Sequence, residues 1–156
     1  MNDSLGKIFS ILIAAILMVY LPVMAMGERT KTAAQLYLLT EETELIDSVC
    51  NVGFLNQNMY EQFQNRILRL PGIYEVKITI ERKELQYEDE KVSYVSRFWD
   101  TDEIEEILRN EELFALYRND FIRIWVTRKD ARQSFLPGMD QTVNVFYGGT
   151  VKYEAY

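Results

Sequence analysis

The sequence predicts an α+β protein: an N-terminal transmembrane helix continuing into an amphipathic stalk helix, then a largely antiparallel sheet packed by helices. Three observations carry that prediction. Ile8 to Met26, IFSILIAAILMVYLPVMAM, is uncharged throughout. From Thr30 to Asn51, Leu38, Leu45, Ile46 and Val49 recur at helical spacing. Beyond them, stretches of alternating apolar and polar residues are interleaved with two short helical patterns.

The uncharged run spans roughly 28 Å as a helix, close to the hydrocarbon thickness of a bilayer. Lys7 closes it on one side and Gly27-Glu28-Arg29 on the other, and Pro22 lies near its end, where a kink costs least. A retained anchor is the favoured reading. A signal peptide cut after Val23-Met24-Ala25 is the alternative, set back by the long apolar core and the single lysine before it. Lys7 on one flank and Arg29 with Lys31 on the other leave the positive-inside rule undecided. A short head before a long tail favours an inside N-terminus. The expected organisation is a short cytoplasmic N-terminus (1–7), a transmembrane helix (8–26), a stalk helix (27–52) and an extracytoplasmic α+β head (53–156).

The stalk is expected to turn Leu45, Ile46 and Val49 inward and to leave Glu41, Glu42 and Glu44 largely on its opposite face. On that reading Ile46 belongs to the core and Glu42 is dispensable for stability. A second helix is expected from Gln57 to Leu70, with Tyr60, Phe63, Ile67 and Leu70 as its apolar stripe and Pro71-Gly72 as its stop. Tyr74, Val76, Ile78 and Ile80 alternate with polar residues and mark a strand. The acidic stretch from Gln86 to Lys91 reads as the turn into a second strand, Val92 to Trp99. Asp100 to Glu103 supplies a helix N-cap and first-turn carboxylates for Ile104, Ile107 and Leu108. Phe121 to Arg128 reads as a third strand and Gln141 to Tyr147 as a fourth. Gly148-Gly149 reads as a tight turn into a short terminal strand at Val151 to Tyr153.

Composition points away from catalysis. The 156 residues include no histidine and one cysteine, Cys50. Histidine-dependent nucleophilic triads, histidine-ligated metals, cysteine-rich zinc sites and internal disulfides all lack their residues. A net charge of −7 argues against nucleic acid as a partner, since phosphate binding needs a basic surface. Glu103, Glu105, Glu106, Glu111 and Glu112 read as a solvated helix face, and Glu88-Asp89-Glu90 lacks calcium-loop spacing. Cys50 reads as a small packing residue at a helix end, with pairing to another chain as the alternative. No catalytic residue, metal ligand or cofactor site is expected. The lipid bilayer and other protein subunits are the expected partners.

Aromatic residues supply the contact candidates. Trp99 and Trp125 are expected on the strand faces opposite the aliphatic stripe, with a second packed layer under a helix as the favoured reading and an exposed contact surface as the alternative. Phe146, Tyr147, Tyr153 and Tyr156 form an aromatic C-terminal run expected to carry recognition, and removal of Val151 to Tyr156 is expected to leave the head folded.

Three stretches also resemble a known family: the opening MNDSLGKIFSILIAAILMVYLPV, the run Ile46-Asp47-Ser48-Val49-Cys50-Asn51-Val52-Gly53-Phe54-Leu55 with Met59-Tyr60-Glu61-Gln62-Phe63 after it, and the ending from Val145 to Tyr156. Together they resemble small membrane-anchored, minor-pilin-like or accessory proteins of Tad-type (tight adherence) pilus and secretion loci in Gram-positive bacteria. The resemblance implies a non-enzymatic single-pass component with a pilin-like lollipop layout, working through other pilus or secretion-system subunits. Gly6 is placed for a prepilin-type cut. Lys7 after it, and Ile11 where fibre-forming pilins carry a glutamate, depart from the pattern of a self-polymerising subunit. A membrane-anchored extracytoplasmic ligand-binding or sensor-accessory domain is the alternative. A carboxylate-dependent hydrolase is the third, and it needs two acids facing across a cleft.

Overall fold

The computed structural model describes residues 2–88, 91–131 and 142–153. Its first element, α1 (Asn2–Val52), is one unbroken helix of 51 residues, about 77 Å long at 1.5 Å per residue. The apolar segment and the stalk are therefore a single element. Along the apolar part the side chains are exposed, Leu12, Ile16 and Val19 among them. From Leu38 onward the helix enters the core, burying Leu38, Leu45, Ile46, Val49 and Cys50.

The remaining elements are β1 (Phe54–Asn56), α2 (Gln57–Ile67), β2 (Tyr74–Glu88), β3 (Lys91–Trp99), α3 (Thr101–Glu111), β4 (Leu113–Ala115), β5 (Phe121–Arg128) and β6 (Asn144–Thr150). Local chemistry accounts for the helix starts. The Asn56 side chain accepts the Met59 N–H at 2.7 Å, capping α2. At α3 the Glu103 carboxylate accepts the Asp100 N–H at 3.3 Å, half of a capping box. Helix α2 ends at Ile67, three residues short of the predicted Leu70, and the chain turns through Pro71 and Gly72.

Strands β3-β2-β5-β6 form an antiparallel sheet in that order, and β1 pairs with β4 in a separate two-stranded ribbon. The ribbon is absent from the sequence prediction, because three-residue strands leave no periodic pattern to read. β2 and β3 also run further than expected. Glu88 pairs with Lys91, so most of the stretch expected to be a turn is ladder, and residues 89–90 lie outside the described set. β5 accompanies β2 only from Tyr74 to Glu81. The rest of the β2–β3 hairpin projects past the sheet.

Register sorts the two faces. Val76, Val126 and Val145 align across the sheet, as do Ile78, Ile124 and Tyr147, then Ile80, Ile122 and Gly149. This face carries the core and receives all three helices, whose buried residues Ile46, Phe63, Ile67, Ile104 and Leu108 belong to the same cluster. The other face has no helix on it among the described residues.

Four expectations are corrected here. Gly148 and Gly149 lie inside β6 and form no turn; the strand continues to Thr150, and 151–153 form no strand. The reason is close approach. A Cβ on Gly149 would stand 2.6 Å from Ile46 Cγ2 and 2.9 Å from Cys50 Sγ, so the glycine lets α1 lie against the sheet. The start expected for that strand, Gln141, lies outside the described residues, and β6 begins at Asn144. Val151 is buried, its N–H donates to the Asp120 carbonyl at 2.9 Å, and the Lys152 N–H donates to the Cys50 carbonyl at 3.1 Å. Val151 and Lys152 are therefore structural, against the expectation that the head folds unchanged without Val151 to Tyr156. Last, Glu42 is fully buried beside Leu38, Leu45 and Ile46, not on the opposite face of the helix.

The Gly149 contact supports a direct test. Gly149→Val is expected to cost about 2 kcal/mol through overpacking, read by denaturant unfolding of the full chain in detergent. Gly6→Ala, where nothing lies within 4 Å, is expected to cost nothing measurable.

Candidate functional site

The open sheet face is assembled from the alternate positions of each strand. Lys77 of β2, Trp125 of β5 and Phe146 of β6 are register partners, one beside the next. The Trp125 and Phe146 rings lie 5.3 Å apart between centroids, tilted by 31°. Such a pair contributes about 1 kcal/mol beyond its buried area, so it is an ordered feature of the face. Phe146 remains 53% exposed and Trp125 is half-buried. Towards the hairpin, Arg123 pairs with Glu81 at 2.9 Å and lies over the Phe121 ring, and Phe98 stands exposed opposite Glu81. The face is aromatic at two places, with a charge pair between them.

At the β6 edge the surface turns a corner onto α1. Phe146, Val145 and Asn144 border an open groove whose other side is Thr32, Gln35, Leu36 and Leu39. Leu36 and Leu39 are exposed along that helix. An apolar strip therefore runs from the stalk across Phe146 to Trp125.

The six candidate aromatics divide. Trp125 and Phe146 are brought together on the open face. Trp99 is not there: its partner across the ladder is Ile80, so it shares the helix-covered face. It is 7% exposed and meets Phe114 edge-on at 5.6 Å. The expectation that both tryptophans oppose the aliphatic stripe is corrected for Trp99, because the hairpin register gives it the parity of the core residues. Tyr147 aligns with Ile124 and is half-buried against the core, so it too belongs to the covered face. Tyr153 is exposed beyond the last strand, and Tyr156 lies outside the described residues. Phe98 and Phe121 are absent from the sequence-based candidates. Strand parity, once β2 and β3 are paired, is the signal for them.

Several titratable groups elsewhere are engaged with one another. Tyr60 donates its hydroxyl to Glu105 at 2.6 Å, and burial raises its pKa. Arg66 reaches Glu41 and Glu44 at 2.8 Å each, tying α2 to the stalk. Burial pushes the Cys50 thiol up to about 11, with Asp47 adding to the effect, which leaves it protonated and unreactive at neutral pH. Among the described residues no three metal-ligating side chains converge.

Glu42 differs from these. Neither carboxyl oxygen has a hydrogen-bond partner among the described residues. Burial pushes its pKa up to about 8; the nearby Val126 peptide group pulls the other way without forming a hydrogen bond of normal geometry.

Among the described residues, α1 is the one helix long and apolar enough to cross a membrane. No protein-family model, curated protein or solved structure matches the chain.

Proposed function

We propose that the chain is a non-enzymatic, single-pass membrane component of a Tad-like type IV pilus or secretion system, with its head outside the cytoplasm and acting through contacts with other subunits. One observation carries the reading. The apolar segment and the core helix of the head are the same continuous element, while the far face of the sheet has no covering layer among the described residues. A head held rigidly on a membrane helix, with an aromatic face turned outward, is suited to docking against neighbours. The resemblance of the two chain ends and the second helix to Tad-locus proteins supplies the context.

The open face is where contact is expected, with Trp125 and Phe146 as its anchors. Aromatic anchors of this kind typically cost about 2 kcal/mol or more of binding when truncated. The double variant Trp125→Ala/Phe146→Ala, in the tagged full chain, should stay folded while the secretion ATPase and platform subunits no longer co-purify. Full recovery of those subunits would remove the open face from the proposal. Proteolysis of intact protoplasts tests the topology: the head should be digested while the apolar segment stays with the membrane. A head protected until lysis would reverse the orientation.

A further inference from the structure

The head has a defined end nearest the apolar segment. Helix α2 runs back along α1, with Arg66 bonded to Glu41 and Glu44 and Arg69 acting on Tyr37. The turn after it carries Leu68, 76% exposed, and Ile73, 66% exposed. Ile73 is fixed to the end of β5: its carbonyl accepts the Lys129 N–H at 2.7 Å, and its own N–H donates to Asp130 at 2.9 Å. Asn144, at the start of β6, shares a groove with Thr32 and Leu36 of α1. This rim is therefore level with residues 32–37 of the helix.

The standoff follows from helix geometry. Thr32 and Leu36 lie about 9 and 15 Å past Met26 along an unbroken helix. A headgroup layer takes up about 5–7 Å of that on each side of the bilayer. Electrostatic reach in physiological salt is about 8 Å. The rim thus sits about 2–10 Å beyond the headgroup layer, about one electrostatic reach from it, and α1 is continuous between Met26 and the rim.

Part of its charge is compensated internally and part is not. Arg128 is paired with Asp130 and Lys129 with Glu75. Arg29 and Arg69 bring positive charge to this end, in a chain whose net charge is −7. A basic rim with two projecting aliphatic side chains, on an otherwise acidic protein, is the pattern of an interfacial contact.

We propose that the end of the head formed by Leu68, Arg69, Ile73 and Lys129 docks on anionic phospholipid headgroups beside the point where α1 enters the bilayer. The proposal rests on α1 being a membrane anchor. Docking would fix the tilt of the head and hence the direction in which the open sheet face points.

The test uses the full chain in lipid nanodiscs, with single cysteines carrying a nitroxide label. Native Cys50 is buried and stays unlabelled. Labels go at Ile73, at Tyr94 on the projecting hairpin, and at Leu17 in the apolar segment. The Ile73 label should be shielded from a water-soluble nickel chelate and relaxed by a headgroup-bound one. That effect should be stronger with phosphatidylglycerol than with phosphatidylcholine alone, while Tyr94 stays fully aqueous. Arg69→Glu should weaken the shielding about fivefold or more. An Ile73 label as aqueous as Tyr94 in both lipids, with Leu17 buried in the bilayer, would overturn the docking and spare the anchor. Shielding that appears only when another protein is added would overturn it equally. A Leu17 label outside the bilayer would overturn both readings.

Discussion

Glu42→Leu is expected to stabilise the protein at pH 8 by about 3 kcal/mol or more, and Glu42→Gln by less, each read by denaturant unfolding of the full chain across pH. The carboxyl is fully buried, with no hydrogen-bond partner among the described residues, and its pKa is raised from 4.5 to about 8. The folded state therefore holds this proton where the unfolded state has lost it. Stability from this group is fully present below about pH 4.5 and is lost as pH rises through 8. The slope approaches about 1.4 kcal/mol per pH unit between those values, or about 3 kcal/mol by pH 7. Both variants abolish the slope because neither titrates. Leucine also removes the unsatisfied oxygens, whereas glutamine keeps a buried amide. A wild-type chain whose stability is flat between pH 5 and 8 would show that Glu42 finds a partner or solvent.

Glu42 also shows how sequence reading fails. It lies four residues after Leu38 and three and four before Leu45 and Ile46, on the same stripe. The periodicity is legible. Polarity overrules it, since a glutamate is rarely placed at a core position. Gly148-Gly149 misleads for the opposite reason: adjacent glycines usually mark a turn, and nothing local announces that Ile46 and Cys50 will cross them. That contact is made between residues some hundred positions apart in the chain.

What is legible is local. The uncharged run, the stop at Pro71-Gly72, the Asp100 cap and the alternation in β2 and β5 each follow from neighbouring residues. The face of Trp99 does not. It depends on which residue of β2 lies opposite, and the acidic residues between the two strands suggest a turn several residues longer than the ladder leaves room for. The pairing of Trp125 with Phe146 needs β5 and β6 to be neighbours, which strand order in the chain permits without requiring.

Asp120→Ala is expected to cost about 3–5 kcal/mol, among the largest effects of any single substitution in the head. Asp120 is 2% exposed and receives Arg82 through both nitrogens, at 2.7 Å from Nη2 and 2.9–3.1 Å from Nε. The same carboxylate accepts the Tyr117 N–H at 2.9 Å, and the Asp120 carbonyl accepts the Val151 N–H. Arg82 also donates to the Ala115 carbonyl and is stacked against Tyr117 and Trp99, 4.1 and 4.9 Å from the ring centroids. One ion pair thus joins β2, the β4–β5 connection and the chain after β6. Removing Asp120 leaves a largely buried guanidinium and a peptide N–H without their acceptor, and the penalty comes mostly from those stranded groups. The control is Arg82→Met with Asp120→Leu, which removes both charges together. It should recover much of the loss, giving a coupling of about 2 kcal/mol or more in a double-mutant cycle. If Asp120→Ala instead melts within about 0.5 kcal/mol of wild type, the pair is solvated and the two sides of the head are held together by apolar packing alone.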